Sequence, residues 1–359
     1  MTVRVGIPRA LFFYHYYPLW QAFFEALGVE CVVSAPTHRG ILEVGATRAT
    51  GENCLPLKIY LGHVRALLGR VDYLFTPLIR TLAYEEENCA RLRGLPDLVR
   101  ALIPEAPPIL APEIDVEGGT WKLTSAVLDL GLHFTRNPLR IRKAVEQAQV
   151  AHRTYETMLQ RSIPLPEALS LLSAGKFGPL EDTIEWSGKT GGPDNSNRAT
   201  FADSDDLEEP LRIALVGHAY NLYDEYVNHR LIARLQALGV ALSTSAAVSE
   251  ETARESIARL DLKHYWTFEH ELVGAAAYYL GQEQVDGMIV VVSFACGPDA
   301  VMLETLQGLS SRFNVPLLNL VLDEHSGEAG LVTRIEAFVD VLARRKTLGG
   351  AVRQFRALA

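Results

Sequence analysis

Cysteine is the residue type in this chain whose chemistry and placement could define a site. Cys54, Cys89 and Cys296 lie in loops beside predicted strands and helices, whereas Cys31 lies inside the strand-like run 29–33. Cys31 is therefore interpreted as a small buried apolar residue. The other three lie where open parallel α/β sheets bind ligands, beyond the carboxyl ends of strands. They form no CxxC signature, so two interpretations stay open: unrelated half-buried thiols, or a three-thiolate metal site.

The metal interpretation has two chemical forms. A zinc site would need a fourth ligand, such as a nearby histidine. A [4Fe-4S] cluster can use three thiolates if one iron takes a ligand from outside the protein. Cys54 precedes Pro56 and a predicted amphipathic helix, whose positive N-terminal end favours thiolate over thiol.

An internal duplication is predicted to position these loops. A strand-like run opens each half, at Val5-Gly6-Ile7 and at Val216-Gly217, and a Leu-Gly helix stop follows at Leu27-Gly28 and at Leu238-Gly239. The two glycines of each half are 22 residues apart. Continuous apolar strands that alternate with helices are typical of parallel sheets covered on both faces. The predicted fold class is therefore α/β, with two Rossmann-like domains.

Composition divides the chain further. A polar stretch after residue 186 has no apolar periodicity, and acidic residues follow it closely. The predicted segments are an N-terminal Rossmann-like domain (1–120), a helical connecting segment (121–186), a flexible acidic linker (187–210) and a C-terminal Rossmann-like domain (211–359).

Charge and hydropathy exclude several classes of protein. The 359 residues include 34 basic and 43 acidic side chains, a net charge of −9 that gives no support to nucleic-acid binding. No apolar run approaches the roughly 20 residues that cross a bilayer. A strand-like run begins at Val3, which leaves no room for a signal peptide. A cytoplasmic protein with reduced cysteines is expected.

Several motifs resemble the 2-hydroxyacyl-CoA dehydratase and benzoyl-CoA reductase superfamily, especially the dehydratase-like module found alone or fused to large acyl-CoA dehydratase activases. The stretches that carry the resemblance are Val5-Gly6-Ile7-Pro8-Arg9, Asn53-Cys54-Leu55-Pro56-Leu57-Lys58, Cys89 with Gly94-Leu95-Pro96, Gly217-His218-Ala219-Tyr220, Ala295-Cys296-Gly297-Pro298 and Asp323-Glu324-His325-Ser326-Gly327.

The resemblance implies an iron–sulfur cluster held by Cys54, Cys89 and Cys296, either a single [4Fe-4S] cubane or one of two joined by sulfide in a double-cubane cluster. It also implies electron transfer from a separate ATP-hydrolysing activator with an actin-like fold. The substrate would be an acyl-CoA or a small molecule, and a lone chain favours a homodimer. Gly188-Lys189-Thr190 lacks the first glycine of a phosphate-binding loop, so ATP hydrolysis is expected of the partner.

Two further groups of residues complete the expectation. Candidate proton-transfer residues are His218, Tyr220, Glu324 and His325, which are predicted to share one interdomain cleft. Candidate neighbours of the cluster are Arg9, Glu52, Lys58 and Arg80. The expected function is an oxygen-sensitive reductase or dehydratase-type component, and the alternative is a zinc-binding structural or regulatory module without redox chemistry.

Overall fold

The computed structural model describes most of the chain. It covers residues 2–83, 86–161, 163–173, 210–260, 266–282 and 285–357, without the side chains of 349–357. The predicted acidic linker, 187–210, lies outside these residues except for its last position. The predicted domain boundaries therefore stay a prediction.

The first half of the chain folds around a parallel sheet with the strand order β2-β1-β3-β5. Its elements are β1 (Arg4–Ile7), α1 (Phe13–Ala26), β2 (Glu30–Val33), α2 (Arg39–Arg48), α3 (Leu55–Leu67), β3 (Tyr73–Phe75), β4 (Leu78–Thr81), α4 (Ala90–Arg93), α5 (Leu95–Leu102), β5 (Ile109–Leu110) and β6 (Glu113–Asp115). Strands β4 and β6 pair in parallel beyond the ends of β3 and β5 and form a small second sheet.

Three helices follow the first sheet. They are α6 (Gly119–Leu132), α7 (Pro138–Gln160) and α8 (Leu165–Ser173), and except for the first two residues of α6 they lie within the predicted helical segment, 121–186. Helix α7 packs against α1 through Tyr155, whose hydroxyl donates to the carbonyl of Tyr14 at 2.6 Å. Among the described helices, none combines the length and apolarity that spanning a membrane requires.

The second half repeats the first. Its elements are β7 (Arg212–Gly217), α9 (Ala219–Leu222), α10 (Leu231–Ala237), β8 (Ala241–Thr244), a 3-10 turn (Ser245–Ala247), α11 (Glu250–Ala258), α12 (Thr267–Gly281), β9 (Gly287–Ser293), α13 (Gly297–Phe313), β10 (Leu317–Leu322) and α14 (Glu328–Ala357). From its other edge the second sheet has the order β8-β7-β9-β10, which corresponds strand by strand to β2-β1-β3-β5 in the first sheet. The prediction of two parallel α/β units built alike is confirmed.

Two details show how closely the halves correspond. Gly28 and Gly239 each adopt φ +76° after the first helical region, a left-handed conformation in which glycine carries no side-chain penalty. The backbone N–H of Arg4 donates to Asp72, and that of Arg212 donates to Asp286, each at 2.8 Å. Both aspartates therefore tie the third strand of a sheet to its first.

In the second half, two helices lie between the first strand and the Leu-Gly pair at 238–239. Helices α9 and α10 are separated because Asn228 donates to the carbonyls of Asn221 and Leu222, which a continuing helix would use itself. His229 and Arg230 then take left-handed conformations, with φ of 52° and 60°. The helix is therefore broken by polar side chains that compete for its backbone.

Candidate functional site

Cys54, Cys89 and Cys296 line one cavity between the two halves, with about 590 Å³ of empty space when the solvent at its mouth is included. All three thiols are half-buried. Most of the remaining wall is apolar and includes Leu11, Leu57, Leu92, Trp266, Phe268 and Met302. The fold thus brings together three cysteines that are far apart in the sequence.

Each of these cysteines directly precedes a helix. Cys54 precedes α3, Cys89 precedes α4 and Cys296 precedes α13. Proline at the first turn of α3 and α13 suits a position where a backbone N–H has no helical partner. Strand β3 is followed by β4 before Cys89 is reached, a strand that the sequence did not predict.

Two residues beside the cavity have left-handed backbones. Ala295, between β9 and Cys296, has φ 61°, and Leu11, on the cavity wall, has φ 51°. This conformation costs free energy in residues other than glycine, and non-glycine residues that adopt it are enriched at functional sites. At Ala295 the sharp turn places Cys296 at the start of α13.

Burial raises the pKa of the Cys54 and Cys296 thiols. The backbone N–H of Leu57 and the guanidinium of Arg91 oppose that rise in the pKa of Cys54. Arg91 also donates to the carbonyl of Glu52 at 2.7 Å, so it ties the Cys54 loop to α4. Within the described ranges, no three His, Cys, Asp or Glu side chains are already grouped as metal ligands.

A histidine–aspartate pair forms another part of the wall. His218 Nε2 lies 2.8 Å from Asp299 Oδ1, and both side chains are buried. Burial alone would raise the pKa of Asp299, but His218 and the backbone N–H of Ser293 outweigh it and hold that pKa below its usual value. With Nε2–H donated to the carboxylate, Nδ1 of His218 has no hydrogen-bond partner among the described residues.

Tyr220 stacks on His218, with ring centroids 4.8 Å apart. Burial raises the pKa of Tyr220 well above its usual value, and the negative charge of Asp299 raises it further. The side chain is therefore a neutral phenol over the whole physiological range.

Asn88 is the second polar group on the wall without a described partner. Its side chain is 2% exposed, and neither amide atom is hydrogen-bonded within the described residues. Buried polar groups are nearly always paired, so the Asn88 amide and the Nδ1 of His218 keep hydrogen-bonding capacity that the described residues do not use.

The Cys89 loop is attached to the second half of the chain. The backbone N–H of Thr267 donates to the carbonyl of Glu87 at 3.1 Å. The carboxylate of Glu86 is buried and lies 2.7 Å from Arg254 on α11. The position of Cys89 therefore depends on contacts between the halves.

A larger cleft of about 2230 Å³ lies beside the cysteine cavity. Lys58, only 3% exposed, forms an ion pair with Glu324 at its edge, which joins the two halves. A small cavity between the two spaces is lined by Leu11 and Tyr220 on one side and by Asp224 on the other. The cleft and the cysteine cavity thus share wall residues with one small cavity between them.

The predicted site residues divide between several places. His218 and Tyr220 line the cysteine cavity. Glu324 and Arg9 line the larger cleft, and His325 is exposed and lines neither space. The expectation that the four candidate proton-transfer residues share one cleft is therefore wrong, because the loop after β10 ends beside Lys58.

The remaining predicted neighbours of the cluster are also placed. Arg80 bonds Glu113 at 2.9 Å on the small second sheet, outside the cavity wall. Lys58 is bonded to Glu324, and Glu52 contributes its backbone carbonyl to Arg91. The four predicted neighbours therefore do not line the cysteine cavity; they are Arg9, Glu52, Lys58 and Arg80.

Sequence reasoning missed Arg91, Asn88 and Asp299, which do line it. Each lies within three residues of a cysteine, two of them in a first helical turn. Side chains in the first turn after a cap can reach the cap residue, and this proximity was the available signal.

Comparison with known proteins gives one family. The family model described as CoA enzyme activase uncharacterised domain matches residues 4–248. The match covers most of the chain, including Cys54, Cys89 and His218, and the chain belongs to this family. No curated protein matches the chain.

Proposed function

We propose that this protein is an iron–sulfur component that receives low-potential electrons from a separate ATP-dependent activator and carries out, or relays, a difficult reduction. One observation carries the proposal: three cysteines from three separate loops line a single, mostly apolar cavity. The membership in a family described by its relation to CoA enzyme activases supports a working relation with such a partner.

Cys54, Cys89 and Cys296 would hold the cluster. The donor set fits, because three thiolates can bind a [4Fe-4S] cluster and leave one iron for another ligand. When bound, such a cluster supplies one-electron transfer at a potential that the surrounding hydrogen bonds and burial set. The unpaired Asn88 amide faces the same cavity and would supply one of those hydrogen bonds.

Arg91 and the N-terminal ends of two helices stabilise negative charge in this apolar cavity. The positive charge of Arg91 lowers the pKa of the Cys54 thiol, and α3 and α13 begin directly after two of the three thiols, with their positive ends toward them. Deprotonation of buried thiols therefore becomes easier than burial alone allows.

His218 would hold or deliver a proton at Nδ1. Asp299 fixes the ring by accepting from Nε2 at 2.8 Å, and Tyr220 stacks against it. The unpaired Nδ1 is then the ring nitrogen that can accept a proton. Asp299 is a positioning residue in this proposal, since it acts through the imidazole.

A substrate larger than the cavity would approach from the neighbouring cleft. The small cavity that Leu11, Tyr220 and Asp224 line adjoins both spaces. Either an acyl-CoA or a smaller molecule is compatible with a cleft of about 2230 Å³.

A zinc-binding module is the second candidate, and one observation favours it. His218 Nδ1 is unpaired and lies on the same wall as the three thiols. Three cysteines and one histidine are a common ligand set for structural zinc.

Anaerobic purification separates the two candidates. A brown protein with about four irons and four sulfides per chain supports the cluster, whereas a colourless protein with one zinc per chain supports the module. Sulfide above four per chain would indicate the bridged double cubane. Visible absorbance of the cluster should then bleach only when the ATPase partner, ATP and dithionite are all present. Reduction at the same rate without nucleotide would contradict the electron-acceptor assignment.

A further inference from the structure

The small cavity between the cysteine cavity and the larger cleft has walls in common with both. It shares Leu11, Pro56 and Tyr220 with the cysteine cavity, and Tyr14 and Asp224 with the cleft. The centre of a water molecule can occupy about 10 Å³ inside it. This is the space that one buried water requires.

Polar side chains line the small cavity on both of its shared walls. Tyr220 lies on the wall toward the cysteines, and Tyr14 and Asp224 lie on the wall toward the cleft. Asn221 lines the cavity too. Its side chain is 1% exposed, Oδ1 accepts from Ser293 at 3.0 Å, and Nδ2 has no hydrogen-bond partner among the described residues. A buried water makes about three hydrogen bonds, and an amide, a carboxyl and a phenol together supply them.

The carboxyl of Asp224 is held by donors from both halves of the chain. Thr37 in the first half donates to Oδ2, and the backbone N–H of Val227 donates to Oδ1 at 3.2 Å. Because the hydrogen of Thr37 goes to Asp224, the same hydroxyl accepts from Nε2 of His63 at 2.9 Å. Thr37 and Val227 both act as donors, so neither accepts a proton that Asp224 releases.

Asp224 is also the group on this path whose charge changes near neutral pH. Burial raises its pKa to about 6. Burial lowers the pKa of His63 to about 3 and raises the pKa values of Tyr14 and Tyr220 well above the usual value, so these three side chains stay neutral. A proton donor is most effective when its pKa is close to the working pH. The other charged groups around the carboxyl are Arg9, whose charge opposes the rise in pKa, and Glu225.

We infer that Asp224 relays protons from the larger cleft to Tyr220 through one water molecule in the small cavity. The inference rests on the proposed function, because an electron delivered to the cysteine cavity adds negative charge to an apolar space, and a proton that follows it cancels that charge. Asp224 gives its proton to the water, the water passes one to the Tyr220 hydroxyl, and the hydroxyl releases its own into the cysteine cavity. Asp224 then regains a proton from the solvent in the cleft, so every oxygen on the path ends with the protons it began with.

Proton uptake after rapid reduction tests the relay. A flash-excited dye supplies the electron to the anaerobically purified protein in weakly buffered solution, and a pH indicator follows the protons taken up. The wild-type rate should fall as the pH rises through about 6. Asp224→Asn should slow uptake about 100-fold below that pH and remove the pH dependence. Glu225→Gln is the matched control, because Glu225 is an exposed carboxylate that lines the same cleft.

Tyr220→Phe should slow uptake as strongly as Asp224→Asn, since it removes the hydroxyl and keeps the ring. Uptake at the wild-type rate in either variant, or equal slowing in Glu225→Gln, would overturn the relay. Iron per chain, measured on the same samples, tests the proposed function separately.

A crystal structure of the wild-type protein tests the water without reference to any metal. A water should lie within hydrogen-bond distance of both Asn221 Nδ2 and the Asp224 carboxyl. Clear density for these side chains with no water between them would also overturn the relay.

Discussion

In the first half of the chain, helix α3 begins after Cys54, whereas in the second half the corresponding helix, α12, begins after Trp266. The helices that follow the third strands of the main sheets correspond too, and they begin after Cys89 and Cys296. All four positions line the same cavity. One repeated frame therefore presents four corresponding positions, of which three carry thiols and one carries an aromatic ring.

This comparison shows how a duplicated fold becomes an asymmetric site. The frame needs only apolar strands, helix stops and caps, and these recur in both halves. The residues before the helices are not needed for the frame, so they are open to divergence. The first half contributes two thiols and Arg91, while the second contributes one thiol and the pair His218–Asp299.

The largest expected effect distinguishes the thiol positions from the aromatic one. Cys54→Ser, Cys89→Ser and Cys296→Ser should each lose most of the bound iron, because two anchors remain. Trp266→Leu should retain it, and Cys31→Ser should retain it with a modest loss of packing. Iron per chain, measured after anaerobic purification, checks this. Equal loss in all five variants would mean general unfolding instead of a specific set of ligands.

A second prediction concerns helix pairs that correspond, α2–α3 and α11–α12. A Cβ at Gly62 would lie 2.0 Å from the carbonyl oxygen of Ile41, whereas one at Gly274 would lie 2.7 Å from that of Ala253. We expect Gly62→Ala to cost about 3 kcal/mol of unfolding free energy and Gly274→Ala less, because backbone on one side must move further.

Urea denaturation measures both changes. Gly308→Ala is the control, since a Cβ there meets nothing within 4 Å and alanine favours the helix by about 0.5–1 kcal/mol. Equal losses at Gly62 and Gly274 would show that the two helix pairs are packed equally tightly.

A third prediction uses the buried polar chain that joins the halves. Thr37 donates to Asp224, and its hydroxyl lies 2.9 Å from Nε2 of His63. Burial raises the pKa of Asp224 to about 6, although Thr37 and nearby Arg9 oppose the rise. The contribution of Asp224 to the free energy of unfolding is therefore full below pH ~4, the usual pKa of a carboxyl group, and is lost as the pH rises through about 6.

His63 acts in the opposite direction. Burial lowers its pKa to about 3, so its contribution is full above pH ~6.5 and decreases as the pH falls toward 3. The two effects partly cancel in the wild type. As the pH rises from 4 to 7, the free energy of unfolding of Asp224→Asn should therefore increase by about 2–3 kcal/mol relative to that of the wild type. Chemical denaturation at several pH values measures this difference, and a constant difference would contradict it.

The smallest expected effect compares the two aspartates that tie strands together. Asp286 also lies 3.1 Å from Lys346 and is 19% exposed, while Asp72 is 44% exposed and, among the described residues, its side chain bonds Arg4 alone. Asp286→Asn should lower Tm by about 2 °C, and Asp72→Asn should lower it less. Differential scanning calorimetry checks the order, and the reverse order would show that burial does not decide it.

Local patterns predicted the frame well. The apolar run at 288–292 became a fully buried strand, the Leu-Gly pairs ended helices at Gly28 and Gly239, and Pro56 began α3. These outcomes depend on sterics and hydrogen bonds within a few residues of one another. Such preferences are the same wherever the segment lies in the molecule.

Only the tertiary structure decided which side chains meet. It placed Glu324 on Lys58 and not in the cysteine cavity, broke the helix after β7 through Asn228, and fixed the Cys89 loop through Glu86 and Arg254. The partners of Asn228 are close to it in the sequence. Lys58 and Glu324 are 266 positions apart in the sequence, and Glu86 and Arg254 are also distant from each other. Their pairing depends on how sheets and helices of both halves pack, which no local pattern contains. The sequence by itself therefore determined the two sheets and the helix starts that carry the cysteines, and packing between the halves decided what surrounds each thiol.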